Sequence, residues 1–133
     1  MISLKEIVEK YIRVPYKTGG TNPEEGLNCW NLVKFVLRDA GKPIEDIVDI
    51  SEKYPVSEWN SLLENYNEAV EEIKVPRPFD IVLFNFYGHL HSGIVLNSVQ
   101  FFHTCRSGTG ICRFKDRFWK NKRLGFYRVR SDA

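Results

Sequence analysis

Three residues of this chain could together do nucleophilic chemistry: Cys29, His91 and His103. Cys29 stands where a polar turn becomes the apolar run Trp30-Asn31-Leu32-Val33-Lys34-Phe35-Val36. The preceding Asn28 is a good N-cap, because its side-chain oxygen can take a backbone N–H left free in the first turn. Cys29 then becomes the first helical residue, beside the positive end of the macrodipole. That setting is one way to bring a thiol pKa below its usual value of about 8.5. His91 and His103 lie twelve residues apart, in stretches that read as consecutive strands of a hairpin. Strand side chains alternate, so the imidazoles share a face if the loop has odd length, three residues from within Leu96 to Val99. A thiol, a base beside it and a third polar group that orients the base make up the layout of a cysteine nucleophile.

The same side chains admit a metal reading. His89-Leu90-His91 and His103-Thr104-Cys105 are both i, i+2 pairs on strands, with Cys112 close behind. Four ligands drawn from His89, His91, His103 and Cys105 could close a tetrahedral zinc site. No Cys-x-x-Cys spacing is present, and a zinc site leaves Cys29 and its cap unexplained. The thiol reading accounts for more residues and needs no cofactor. It leaves His89 in an exposed loop, and Cys105 and Cys112 as packing thiols.

The elements that must position these residues follow from periodicity. Residues 3–13 read as an amphipathic helix with Leu4, Ile7, Val8, Tyr11 and Ile12 on one face, and Ser3 with Glu6 has capping-box spacing. A proline- and glycine-punctuated loop follows, Val14 to Pro23, and then the cysteine helix over about 29–40, stopped by Gly41 and Pro43. A second helical pattern covers about 57–72. After Pro78 the period changes to that of strands: Asp80–Phe86, His91–Leu96, Val99–Cys105, a short piece at Ile111–Phe114, and Phe126–Arg130. Helices first and an antiparallel meander afterwards predict one α+β domain over 1–133. Phe84, Phe101, Trp119 and Phe126 are expected in its core.

Composition narrows the partners. A net charge of +2 gives no case for nucleic acid, and the basic cluster from Arg113 to Arg123 is broken by Asp116. Three cysteines argue against a secreted disulfide framework. No segment approaches membrane-span length, so membrane insertion is not expected. Met1 to Lys10 lacks a continuous apolar run, so a signal peptide is not expected and synthesis in the cytoplasm is.

Read in order, the motifs resemble the NlpC/P60 superfamily of papain-like cysteine peptidases, particularly its phage-tail members. Pro15-Tyr16-Lys17-Thr18-Gly19-Gly20 is similar to the family's Pro-Tyr-x-x-Gly-Gly loop, and Asn28-Cys29-Trp30-Asn31-Leu32-Val33 to its Asp-Cys-Trp-Gly-Leu-Val helix. Arg77-Pro78-Phe79-Asp80 resembles its Pro-Gly-Asp strand opening, and His91-Ser92-Gly93-Ile94-Val95-Leu96 its His-Val-Gly-Ile-Tyr-Leu strand. Phe102-His103-Thr104 matches its Ile-His-Ala element, and Gly125-Phe126-Tyr127-Arg128 the closing Gly-Tyr-Tyr-Arg strand of tail proteins. The resemblance implies a catalytic set of Cys29, His91 and His103, with Tyr16 on the cleft wall near the oxyanion. It implies hydrolysis of peptidoglycan stem-peptide amides through an acyl thioester, and carriage in a virion among other tail proteins. The alternative within the same fold is a structural tail protein without activity. Asn28, Asn31 and Phe79 depart from the pattern; none removes a catalytic atom, and Asn31 and Phe79 are expected to reshape the cleft.

Overall fold

Caps decide where the two main helices begin. The Ser3 hydroxyl accepts the Glu6 N–H at 3.2 Å and donates to the Glu6 carboxylate at 3.1 Å, and α1 runs Leu4–Tyr11. Asn28 Oδ1 accepts the Asn31 N–H at 2.9 Å, and α2 runs Cys29–Asp39. The computed structural model describes residues 3–46 and 50–130; residues 1, 2, 47–49 and 131–133 of the expected single domain lie outside the described residues. The stop of α2 is a Schellman motif: Gly41 takes φ +75°, its N–H returns to the Arg38 carbonyl at 3.1 Å, and the Lys42 N–H returns to Leu37 at 2.8 Å. Between the helices, the loop 12–28 carries a two-stranded ribbon, β1 (Thr21–Asn22) with β2 (Gly26–Leu27).

The expected helix over 57–72 is corrected. A 3₁₀ turn at Val56–Glu58 leads into α3 (Trp59–Asn65), and the chain then becomes strand β3 (Val70–Ile73). Val70 and Ile73 favour an extended backbone, and pairing with the C-terminal strand satisfies that backbone: Val70 lies opposite Val129 and Ile73 opposite Phe126. The remaining strands are β4 (Ile81–Phe86), β5 (His89–Val95), β6 (Gln100–Cys105), β7 (Gly108–Arg113) and β8 (Arg123–Val129). They form one antiparallel sheet in the order β3-β8-β4-β5-β6-β7. The strand expected at 111–114 is thus longer and starts earlier, at Gly108. Among the described residues no helix is long and apolar enough to cross a membrane.

Alternation along β4 to β6 builds two apolar layers. Ile81, Leu83, Leu90, Ile94 and Phe102 join Trp30, Val33 and Leu37 of α2 in the larger one. On the opposite face, Val82, Phe84, Val95 and Phe101 pack under Phe114, Trp119 and Phe126. Phe79 packs with the larger layer and is not part of the cleft wall, contrary to the expectation above. Its φ of +75° explains why a glycine suits this position: a side chain there costs about 1 kcal/mol.

One buried ion pair ties the sheet's closing strand to its start. Asp80, 2% exposed, accepts Arg128 Nε and Nη2 at 2.9 Å each and the Arg77 N–H at 2.7 Å. The Arg128 side chain is 23% exposed, so it can find water if its partner is lost, which limits the penalty. The freed Arg77 N–H adds to it. Asp80→Ala is expected to destabilise by about 2 kcal/mol, or roughly 7 °C in Tm. Calorimetry of the variant beside Asp80→Asn checks this; equal melting of wild type and Asp80→Ala would show the pair to be idle.

Candidate active site

The hairpin of β5 and β6 sets the histidine pair. Ile94 opposes Phe102 and Val95 opposes Phe101, and the Leu96 N–H reaches the Gln100 carbonyl at 3.0 Å around Asn97-Ser98-Val99. The loop is therefore three residues long, and Asn97 Oδ1 closes it by accepting the N–H groups of Val99 and Gln100 at 2.8 and 2.9 Å. Parity then puts His91 and His103 on one face, diagonal across the strands. His91 Nε2 and His103 Nδ1 are 2.9 Å apart and hydrogen-bonded. Gly93, next along that face, makes the approach possible. A Cβ there would meet the Phe101 ring at 3.2 Å and the His103 Cβ at 3.4 Å.

This face is the one bearing Phe84 and Phe101, and aromatic rings enclose the imidazoles. Trp119 stacks on His91 with centroids 5.1 Å apart and planes at 20°, and meets His103 edge-on at 5.1 Å. The turn carrying Trp119 is fixed by Asp116, which accepts the Phe118 N–H at 2.9 Å on its side chain and the Trp119 N–H at 3.0 Å on its carbonyl. His91 and His103 are 5% and 4% exposed. Trp119 is thus more than core filling, a role the sequence did not announce.

Cys29 reaches the site from the other layer. As the first residue of α2 it is 4% exposed, against Ser92, the strand residue after His91. Cys29, His91 and His103 all open on one cleft of about 750 Å³, a volume suited to a small ligand or peptide segment. Tyr16 lines the same cleft, held there by a bridge to Leu27 in which the Lys17 N–H meets the Leu27 carbonyl at 3.1 Å and the Leu27 N–H meets Pro15 at 3.0 Å. Asn31 is not on the wall; its side chain donates to the Gly20 carbonyl at 2.7 Å and so ties the Tyr16 loop to α2. Glu52, on the cleft wall, accepts from Asn28 Nδ2 at 2.9 Å. The remaining walls bring Lys53 and Arg106, and the aromatics Phe86, Tyr87 and Phe118.

Burial dominates the electrostatics. Desolvation raises the Cys29 thiol above its ordinary pKa, and the N–H groups of Ser92 and Trp30 only partly oppose it. The Ser92 backbone N–H faces the sulfur and favours its charged form. Desolvation, with repulsion from His103, lowers His91 to about 3, and desolvation lowers His103 to about 4. Burial also raises Tyr16. Burial thus favours the thiol and the neutral imidazoles, against the thiolate that the helix N-terminus alone would favour.

The zinc reading fails on geometry. The facing nitrogens of His91 and His103 are spent on each other, and among the described residues no three His, Cys, Asp or Glu side chains converge to hold a metal ion. His89 opens β5 rather than lying in a loop, exposed as expected, and Cys105 Sγ sits 3.0 Å from the Ser107 hydroxyl. Cys112 packs against the aromatic layer as expected, and its Sγ also lies 3.2 Å from His103 Nε2. The parity of residues 103 and 112 across a hairpin could have signalled that contact, had β7 been read as starting at Gly108.

The NlpC/P60 family profile matches residues 13–128. The chain is 33% identical over 124 residues to gamma-DL-glutamyl hydrolase of Bacillus subtilis (strain 168), covering 90% of this chain and 27% of that protein. The chain therefore spans about a quarter of that relative's length. A lipoprotein-like member of the NLP/P60 family from Staphylococcus aureus subsp. aureus Mu50 superposes with a TM-score of 0.70 at 21% identity, covering 96% of this chain and 40% of that one. The NlpC/P60 domain of the peptidoglycan hydrolase SagA superposes with a TM-score of 0.59 at 19% identity, covering 94% and 93%. Both likenesses bear on the fold, which they share with the α+β architecture above. With the family profile spanning nearly the whole chain, this protein belongs to the NlpC/P60 family.

Proposed function

We propose that this chain is a cysteine peptidase that hydrolyses amide bonds in the stem peptides of bacterial peptidoglycan. The observation that carries the reading is a helix-N-terminal Cys29 opening on the same cleft as a hydrogen-bonded His91–His103 pair. His103 occupies Nε2 of His91, so Nδ1 is the ring nitrogen left to take the thiol proton as sulfur attacks the carbonyl carbon. The neutral His91 is the correct form for that step. It then returns the proton to the leaving amine, and the acyl thioester is released by water that His91 deprotonates. His103 orients the ring as the third group of the triad, and the Tyr16 hydroxyl faces the developing oxyanion. The relatives' names, a gamma-DL-glutamyl hydrolase and a peptidoglycan hydrolase, support this substrate class. Lys53 and Arg106 on the cleft wall suit the free carboxylate that a γ-linked glutamyl residue presents.

Carriage in a phage tail, with local wall opening during DNA delivery, is the further part of the proposal, and it rests on the Gly125-Phe126-Tyr127-Arg128 resemblance. Digestion of purified peptidoglycan, with fragments read by mass spectrometry, tests the activity. New amino termini within the stem peptide are expected from wild type and not from Cys29→Ala. Intact muropeptides after prolonged digestion would favour the structural tail protein instead.

A further inference from the structure

We propose that Cys112 is a positioning residue whose sulfur accepts the His103 Nε2 proton and so selects the tautomer of His103 and, through it, of His91. The inference rests on the reading of Cys29 and His91 as nucleophile and base. Three groups form one hydrogen-bonded line: His91 Nε2 to His103 Nδ1 at 2.9 Å, then His103 Nε2 to Cys112 Sγ at 3.2 Å. The sheet register builds this line. Phe101 opposes Cys112 and His103 opposes Gly110, so Cys112 lies diagonal to His103 on the histidine face.

Such a line admits two proton arrangements, because neutral imidazole donates from one nitrogen and accepts on the other. In the first, both rings carry hydrogen on Nε2. His91 donates to His103, His103 donates to Cys112, and His91 Nδ1 presents a lone pair to the cleft. In the second, the Cys112 S–H donates to His103 Nε2 and both rings carry hydrogen on Nδ1. His91 then has no lone pair on the side left for a thiol proton, and the base is silent. The two arrangements hold the same number of protons on the same groups and differ only in which ring nitrogens carry them; passing from one to the other returns one proton from the Cys112 end to His91 Nδ1 through water in the cleft. A sulfur in this place is a soft acceptor with a weakly donating hydrogen, which suits the first arrangement better than a strong obligate donor would. A non-polar side chain in its place would leave His103 Nε2–H buried without a partner and remove that bias.

The measurement is histidine ¹⁵N NMR of the wild-type protein joined to kinetics of two variants. Wild type is expected to show His103 and His91 as Nε2–H tautomers. Cys112→Val, matched in size, is expected to lose about tenfold in kcat with KM unchanged, the scale on which a supporting hydrogen bond acts, and to show mixed tautomers. Cys112→Ser restores an acceptor and is expected to recover most of kcat. A wild-type spectrum with the proton on His103 Nδ1 overturns the proposal without any variant having to fold. So does a folded Cys112→Val with wild-type kcat. Hydrolysis that persists in Cys29→Ala overturns the nucleophile reading instead, and the tautomer spectrum tells the two failures apart.

Discussion

Cys29→Ala and His91→Ala are each expected to lower the rate of stem-peptide hydrolysis by a factor on the order of a thousand or more. The two losses share one cause. Without Cys29 no acyl thioester forms, and without His91 the thiol keeps its proton. Burial makes the second loss severe, since it raises the thiol above its ordinary pKa and so leaves little thiolate at neutral pH. A residue pair that acts as a unit gives non-additive losses, so the double variant should be about as slow as either single one. His103→Asn is expected to keep partial activity, because an amide can still accept from His91 Nε2 where His103 Nδ1 now stands, 2.9 Å away. Initial rates on purified peptidoglycan, with melting temperatures to confirm folding, supply the comparison. Turnover in Cys29→Ala within tenfold of wild type would remove the nucleophile from this assignment.

Much of the fold was legible because its signals are local. The Asn28 cap, the Ser3–Glu6 spacing and the period change after Pro78 each depend on residues three or four apart, and α1, α2 and the central strands follow from them. The Asn97 loop was legible from parity alone: only an odd count lets residues 91 and 103 share a face. What stayed hidden depends on distant partners. Nothing local distinguishes Val70–Ile73 from the end of a helix; its strand state comes from β8, more than fifty residues on. The same holds for Trp119, whose aromatic side chain reads as core until its turn lays it on His91. The balance at Cys29 between helix N-terminus and burial is hidden for a related reason. A helix N-terminus is visible in sequence, but the depth at which the fold buries it is not.

Acid should weaken this fold earlier than its carboxylates would. Free histidine titrates near 6.5, whereas in the folded protein desolvation, and for His91 the neighbouring His103 as well, lower the pair to about 3 and about 4. Between those values the unfolded chain binds more protons than the folded one. Stability is therefore fully present above about pH 6.5 and is lost as pH falls through 6.5 towards 4. A tenfold change in proton affinity between the folded and unfolded states is worth about 1.4 kcal/mol, and integrating over the window the pair is expected to cost roughly 4 kcal/mol between pH 7 and pH 5. Carboxylates titrate mostly below that window, which isolates the histidine contribution. Urea unfolding at fixed ionic strength, run at pH 7 and pH 5 on wild type and on a His91→Gln, His103→Asn double variant, makes the comparison. The double variant should start less stable, since it loses the buried imidazole packing under Trp119, yet decline less with acid. Parallel declines in the two proteins would mean that the imidazoles take up protons in the folded state as readily as in water, and the neutral resting pair would have to be abandoned.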